Sequence, residues 1–202
     1  KSNVTNTDSL AYLLSEKVST QKHVSKVISF NYVDVGYIYP DEGLDELLNR
    51  NAHVCHIHLN TDNGGDLRNS IVLGSNLYDG IDPVFTPFVK FYQRRSPEPI
   101  SEYLQNATSI VFFGLSFGES DSDYFKNFFD GTHGKKIFIV TKDDNGVIGI
   151  RTRIREMVGN ESALRFLNSN SVEFVTTDSY GRLSKGYTLL LQLFEYGEQI
   201  FL

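Results

Sequence analysis

Basic residues are in the minority in this chain, which has 19 Lys and Arg against 25 Asp and Glu and a formal net charge of −6. Sequence-independent binding to nucleic acid or to an anionic membrane relies on a surplus of Lys and Arg. The composition therefore argues against both kinds of partner and leaves only a local basic patch as a route to nucleic acid.

Cysteine and long apolar runs are also scarce. The single cysteine, Cys55, cannot form an intramolecular disulfide. No apolar run reaches the roughly 18 residues of a membrane-spanning helix, and no secretory leader pattern is visible. We therefore expect a cytoplasmic protein without membrane contact. Because the chain begins with Lys1 rather than methionine, we also expect it to be the C-terminal portion of a longer protein.

Strand patterns alternate with helix patterns along the chain. With 40% hydrophobic residues and this alternation, we predict a single α/β domain over residues 1–202, built on a mainly parallel sheet flanked by helices. Residues 75–108 are a candidate for a small helical insertion. The predicted strands are 26–31, 53–58, 70–74, 109–113, 136–141 and 171–175, and the predicted helices lie near 10–18, 83–92, 100–106, 124–129, 150–157, 161–167 and 187–196.

The stretch GLSFG after the strand at 109–113 matches G-x-S-x-G, the pattern that mounts a nucleophilic serine in many hydrolases. Such an enzyme needs a later acid and histidine, and His133 is the only histidine that follows Ser116. The alternative is ligand binding, in which Gly114 and Gly118 allow close backbone approach and Ser116 hydrogen-bonds a phosphate or ribose. Ser116 could also simply cap a tight turn.

Two strand ends carry polar side chains. Asn31 ends the strand in SFNY, where it could hold a ribose hydroxyl, position a water molecule or cap the next turn. In HVCHIH, alternation along a strand lets at most two of the four His and Cys side chains meet one ion, so we expect no metal. His58 is instead a candidate general base or ligand contact.

Charged residues elsewhere have simpler explanations. Asp121 and Asp123 could form a catalytic carboxylate pair, but the favoured interpretation is that they complement the dipole of the helix that begins there. Arg151 and Arg155 share a helix face that we expect to be solvated. TKDDNG, residues 141–146, indicates a turn and lacks the later ligands of a calcium loop.

SFNY, HIH and GLSFGESDSDYF follow one another in an order that resembles the phage abortive infection AbiH family. Members of that family show an FNY strand end, an HIHG element and a G-x-S-x-G-x-x-D-x-x-[YF] segment. The last of these is the specific match, and it is met at Gly114, Ser116, Gly118, Asp121 and Tyr124. Leu59 replaces the glycine expected after His58, and the family's N-terminal glycine-rich strand-to-helix turn is absent.

The AbiH family looks like a distant branch of the sirtuin-like fold, a Rossmann-like sheet that binds NAD, here expected to lack its N-terminal strand. The resemblance implies that Asn31 and His58 are catalytic and that Gly114 and Ser116 line NAD or a related nucleotide. The other motif positions in the predicted ligand-binding set are Ser29, Tyr32, Gly118 and Asp121.

The reaction that the resemblance implies is hydrolysis of the N-glycosidic bond of NAD during anti-phage defence, with a phage-derived trigger and a homo-oligomer as candidate partners. Three other functions stay open from the sequence. They are a non-catalytic nucleotide-sensing module, a serine hydrolase that uses Ser116, and a nucleic-acid effector. The last would need Arg94, Arg95 and the arginines of residues 151–155 to converge on one surface.

Overall fold

A computed structural model of the chain describes residues 26–30, 53–56, 100–178 and 183–196. Its strands in these ranges are parallel: β1 (Lys26–Ser29) pairs with β2 (His53–His56), and β3 (Ser109–Phe113), β4 (Lys136–Thr141) and β5 (Ser171–Thr176) form a three-stranded sheet in that order. The helices are α1 (Ile100–Asn106), α2 (Ser122–Gly131), α3 (Asp144–Ser169) and α4 (Lys185–Tyr196), and a 3₁₀ turn, Glu119–Asp121, precedes α2.

This arrangement confirms the predicted α/β class, with helices flanking a parallel sheet. Three predicted elements, at 10–18, 70–74 and 83–92, lie outside the described residues. So does the expected insertion at 75–108, apart from α1 and the two residues after it.

β4 is the middle strand of the three-stranded sheet and is buried on both faces. Ile137 and Ile139 point into one hydrophobic cluster, which contains the inner faces of α1, α2 and α3. Phe138 and Val140 point into a second cluster, on the face covered by α4. Successive side chains of a strand alternate between faces, so an uninterrupted apolar strand needs helices on both sides.

The larger cluster is built around phenylalanine rings. Phe112 of β3 and two phenylalanines of α2 surround Phe117, which is 1% exposed. The centroid of the Phe117 ring lies 5.1 Å from the centroids of Phe112, Phe125 and Phe129. All three pairs are edge-to-face, the geometry that aromatic quadrupoles favour.

α3 consists of two helical pieces on either side of Gly159, whose φ of 82° and ψ of 163° are not helical. The break falls between the two helices predicted at 150–157 and 161–167. The start of α3 differs from the sequence prediction of a turn over residues 141–146. The helix begins at Asp144 because Asp143 caps it, its carboxylate accepting a hydrogen bond from the Gly146 N–H at 3.0 Å.

Polar contacts tie together the edge of the sheet where the strands begin, here called the amino edge. The Asn170 side chain donates to the carbonyls of Thr132 and Phe166 at 2.9 and 2.8 Å and accepts from the Lys135 N–H at 3.0 Å. The Lys135 ammonium donates to the carbonyls of Gln105, at 2.7 Å, and Ala107. The amino edge is therefore closed by hydrogen bonds, and the opposite, carboxyl edge is where a ligand has room.

Candidate functional site

A cleft of about 470 Å³ opens at the carboxyl edge of the three-stranded sheet. Its walls come from the segment that follows β3, the end of β4, Thr177 after β5, and the first turns of α3. Phe113, Val140 and Ile150 contribute apolar surface, and Ser116, Thr141 and Thr177 contribute hydroxyls. Ligands of parallel α/β sheets bind in this position, outside the carboxyl ends of the strands.

Backbone hydrogen bonds hold the walls of the cleft in place. The Gly114 N–H donates to the Val140 carbonyl at 3.0 Å, which continues the β3–β4 pairing by one residue. The Thr177 N–H donates to the Thr141 and Lys142 carbonyls at 2.9 and 3.2 Å. The three strand ends are therefore joined where they form the cleft, so a ligand would meet walls that are largely pre-formed.

Two residues of the glycine loop, residues 114–118, have a left-handed backbone conformation, and one of them has a buried side chain. Gly114 has φ 63° and Phe117 has φ 51°, and Phe117 is the one non-glycine residue of the described ranges with a positive φ. A left-handed conformation costs a residue with a Cβ roughly 1–2 kcal/mol. Burial of the Phe117 ring offsets that cost and leaves Ser116 exposed on the wall of the cleft.

The structure separates the predicted residues of this loop into two groups. Gly114 and Ser116 line the cleft. Gly118 and Asp121 do not, since the chain turns inward at Phe117 and they lie at the entry to α2. The Gly118 carbonyl accepts from the Asp121 N–H at 3.0 Å, and Asp121 occupies the N-cap position of α2 without a capping hydrogen bond from its side chain.

Ser29, the last residue of β1, leads into a contact with the beginning of α2. The Phe30 ring packs on Tyr124 and Phe125, with centroid separations of 5.5 and 5.2 Å. The SFNY strand end therefore begins beside the helix that the glycine loop enters. Asn31, Tyr32 and His58 lie outside the described residues, and the metal-ligand types of HVCHIH have no described side chains.

Several residues of the cleft were missed by sequence reasoning. Gly146, Gly149 and Arg153 of α3 face the cleft together with Ile150, a spacing of three, four and seven residues that places them on one side of a helix. Lys142 and Thr177 join them. The sequence does contain a signal for these residues. The second half of TKDDNG starts a helix immediately after a buried strand, and a connection from a strand to the next helix lies at the carboxyl edge of the sheet.

The histidine that follows Ser116 in sequence lies at the other edge of the sheet. His133 comes just before β4 and its ring contacts the Gly131 carbonyl at 3.3 Å, whereas Ser116 follows the end of β3. β4 has six residues, which at about 3.3 Å per step separates the two edges by about 16 Å. His133 is therefore too far away to activate the Ser116 hydroxyl.

The arginines of α3 do not share one surface. Arg153 faces the cleft, whereas Arg151 and Arg155 line a small recess on another side of the helix. The Arg151 guanidinium lies over the Phe174 ring, 4.6 Å from its centroid. These positions count against convergence of the arginines on a nucleic acid, and Arg94 and Arg95 lie outside the described residues.

The described part of the chain contains no helix with the length and apolar character needed to cross a membrane. It also contains no group of three His, Cys, Asp or Glu side chains placed to hold a metal ion.

No family model, curated protein or solved structure matches the chain. The case for a function therefore depends on the cleft and on the motifs that reach it.

Proposed function

We propose that the cleft binds NAD or a related nucleotide and that the chain is an AbiH-type anti-phage protein with a sirtuin-like, Rossmann-type site. The observation that carries this proposal is the position of Gly114 and Ser116. Both belong to the family-like motif, and both line a cleft at the carboxyl edge of a parallel sheet. This is where open α/β sheets bind nucleotides.

The size and chemistry of the cleft support a ligand of this class. Its volume of about 470 Å³ falls within the range of about 300–1,000 Å³ that is common for small-molecule sites. Apolar side chains form much of its surface and hydroxyl groups lie around them. The apolar surface would pack against a base or a ribose, while Ser116 and Thr177 would hydrogen-bond to ribose hydroxyls or to a phosphate.

Cleavage of the N-glycosidic bond would take place beyond the glycine loop, near the end of β1. Phe30 packs against the first turn of α2, and Asn31 is the next residue in the sequence. In the proposed reaction Asn31 and His58 orient a water molecule at C1′ of the nicotinamide ribose. The C–N bond breaks with oxocarbenium character, the water oxygen bonds to C1′, and ADP-ribose, nicotinamide and one proton are released.

A non-catalytic nucleotide-binding module is the second candidate. The cleft lining within the described residues contains no carboxylate and no imidazole. A site of that composition would bind a nucleotide without offering a carboxylate or an imidazole as a general base. If the protein is instead an enzyme, catalysis would depend entirely on Asn31 and His58.

Nicotinamide release, followed by mass spectrometry with the full gene product, separates the two candidates. We expect turnover of NAD that disappears in Asn31→Ala and His58→Ala, while both variants still bind the nucleotide. Binding without turnover, even in the presence of phage components, would favour the sensing module. Absence of any nucleotide binding by calorimetry would refute both.

A further inference from the structure

Gly149 lies inside helix α3, and nothing in the packing of the fold requires a glycine at this position. Glycine in a helix interior is less favourable than alanine by about 0.8–1.0 kcal/mol. A Cβ atom added at Gly149 would have no described atom within 4 Å, since the space beside it is the cleft. Gly146 is different, because a Cβ atom there would overlap the Thr141 hydroxyl. Packing of the helix against the end of β4 therefore explains Gly146, whereas no contact among the described residues explains Gly149.

The two charged residues that line the cleft, among those that the structure describes, are both cationic. They are Lys142, just after β4, and Arg153, on the third turn of α3. This is unexpected in a chain with a net charge of −6. The carboxylate of the neighbouring Asp143 is committed to the Gly146 N–H and does not line the cleft.

Arg153 is available to a ligand although it has an ion-pair partner. Its guanidinium lies 2.9 Å from the Glu156 carboxylate, but the two side chains are 55% and 57% exposed. Exposed pairs of this kind contribute little to stability. A phosphate in the cleft would compete for the guanidinium through charge-assisted hydrogen bonds of the same kind as its bond to Glu156.

We propose that Lys142 and Arg153 form a phosphate subsite of the cleft and that the ligand lies directly against the helix backbone at Gly149. This proposal rests on the proposed function, since it describes the nucleotide's position in the same cleft. Gly146 and Arg153 are seven residues apart, about 10 Å along the helix axis, a span that a nucleotide can cover. The phosphate is either the pyrophosphate of NAD or an additional phosphate on the adenosine ribose, as in NADP.

Calorimetric titrations with NAD, NADP and inorganic pyrophosphate test the subsite. We expect Lys142→Gln and Arg153→Gln each to weaken phosphate-dependent binding by about tenfold. Arg155→Gln, a change of an exposed arginine outside the cleft, is the matched control and should leave all affinities unchanged. A loss confined to NADP identifies the ribose phosphate, and an equal loss for NAD and NADP identifies the pyrophosphate.

Gly149→Leu tests the close approach without threatening the fold. Leucine has a higher helix propensity than glycine and its side chain would enter the cleft, so binding should be lost while the melting temperature stays the same or rises. Unchanged ligand affinity in a folded Gly149→Leu variant would overturn this part of the proposal.

The three ligands distinguish failure of the subsite from failure of the nucleotide site. If NAD and NADP both bind with the same affinity to wild type, Lys142→Gln and Arg153→Gln, the subsite is wrong and the nucleotide proposal survives. If only pyrophosphate binds, and does so through these two residues, the subsite stands and the nucleotide proposal fails. If none of the three ligands binds, both are wrong.

Discussion

Phe117 determines the conformation of the glycine loop more than Ser116 does. Its ring is enclosed by Phe112, Phe125 and Phe129, and its backbone is left-handed. The loop therefore has an apolar anchor at the residue next to its exposed serine. A nucleophile elbow places the strained conformation on the serine itself, so the backbone also favours a ligand contact at Ser116.

Replacing Phe117 by alanine should lower the free energy of unfolding by about 3–5 kcal/mol, because a large ring is removed from a close-packed cluster. Urea denaturation measures the change. Phe113→Ala is the matched control, since Phe113 is 45% exposed, and we expect it to cost about 1 kcal/mol or less. Phe117→Leu keeps most of the apolar volume and should retain the fold. Equal losses in the two alanine variants would contradict the anchor role.

Replacing Ser116 by alanine should weaken nucleotide binding by about one hydrogen bond, ~0.5–1.5 kcal/mol, without changing stability, since this side chain is exposed. Isothermal titration with NAD gives the affinity, and Ser101→Ala on α1 provides an exposed serine away from the cleft as the control. A complete loss of turnover with intact affinity would instead support a nucleophilic serine.

At the scale of elements, the connection from β4 to α3 shapes the cleft, since it places Lys142, Gly146 and Gly149 on the cleft wall. Asp143 allows the helix to begin within three residues of the strand. The sequence predicts β3, β4 and α1 with the bounds that the structure has, because each is a clear apolar run or lies between clear breaks. The start of α3 was harder to predict from the sequence, because TKDDNG has the composition of a turn although its second half is helical.

Gly149 and Gly146 should respond oppositely to alanine. Gly149→Ala should raise the free energy of unfolding by up to about 1 kcal/mol, because alanine is the better helix former and the added methyl group meets no described atom. Gly146→Ala should lower it by about 1–3 kcal/mol, because the methyl group overlaps Thr141. Thermal or urea denaturation of both variants checks this pair, and a gain in Gly146→Ala would show that the β4–α3 connection is looser than described.

At the scale of the molecule, the sheet separates a closed amino edge from an open carboxyl edge, and two apolar clusters cover its faces. Gly114 and Ser116 of the cleft were predictable because a local motif contains them. Arg153 and Thr177 were not, since they lie 37 and 61 positions after Ser116 and meet it only through the strand order. Local sequence also could not show that burial of Phe117 would direct Gly118 and Asp121 away from the cleft.

The amides of β4 should be the slowest to exchange with solvent in the described part of the chain. Ile137, Ile139 and Val140 are at most 1% exposed, and the strand is hydrogen-bonded on both sides. Amides of this kind exchange only on global unfolding. Native-state hydrogen exchange with mass spectrometry or NMR measures the rates, with the short helix α1, which lies outside the sheet and has an exposed outer face, as the internal reference. Similar protection in β4 and α1 would show that the sheet does not form the stable centre.

The order β3-β4-β5 in space is also their order in the chain. During synthesis, each of these strands can therefore dock onto an edge that its predecessor has already formed, with one helix completed between them. Until β5 leaves the ribosome, β4 presents an open hydrogen-bonding edge and one uncovered apolar face, the combination that invites pairing with another chain. β5 and α4 thus decide when the nascent protein stops being prone to aggregation, and truncations before residue 171 should accumulate in inclusion bodies.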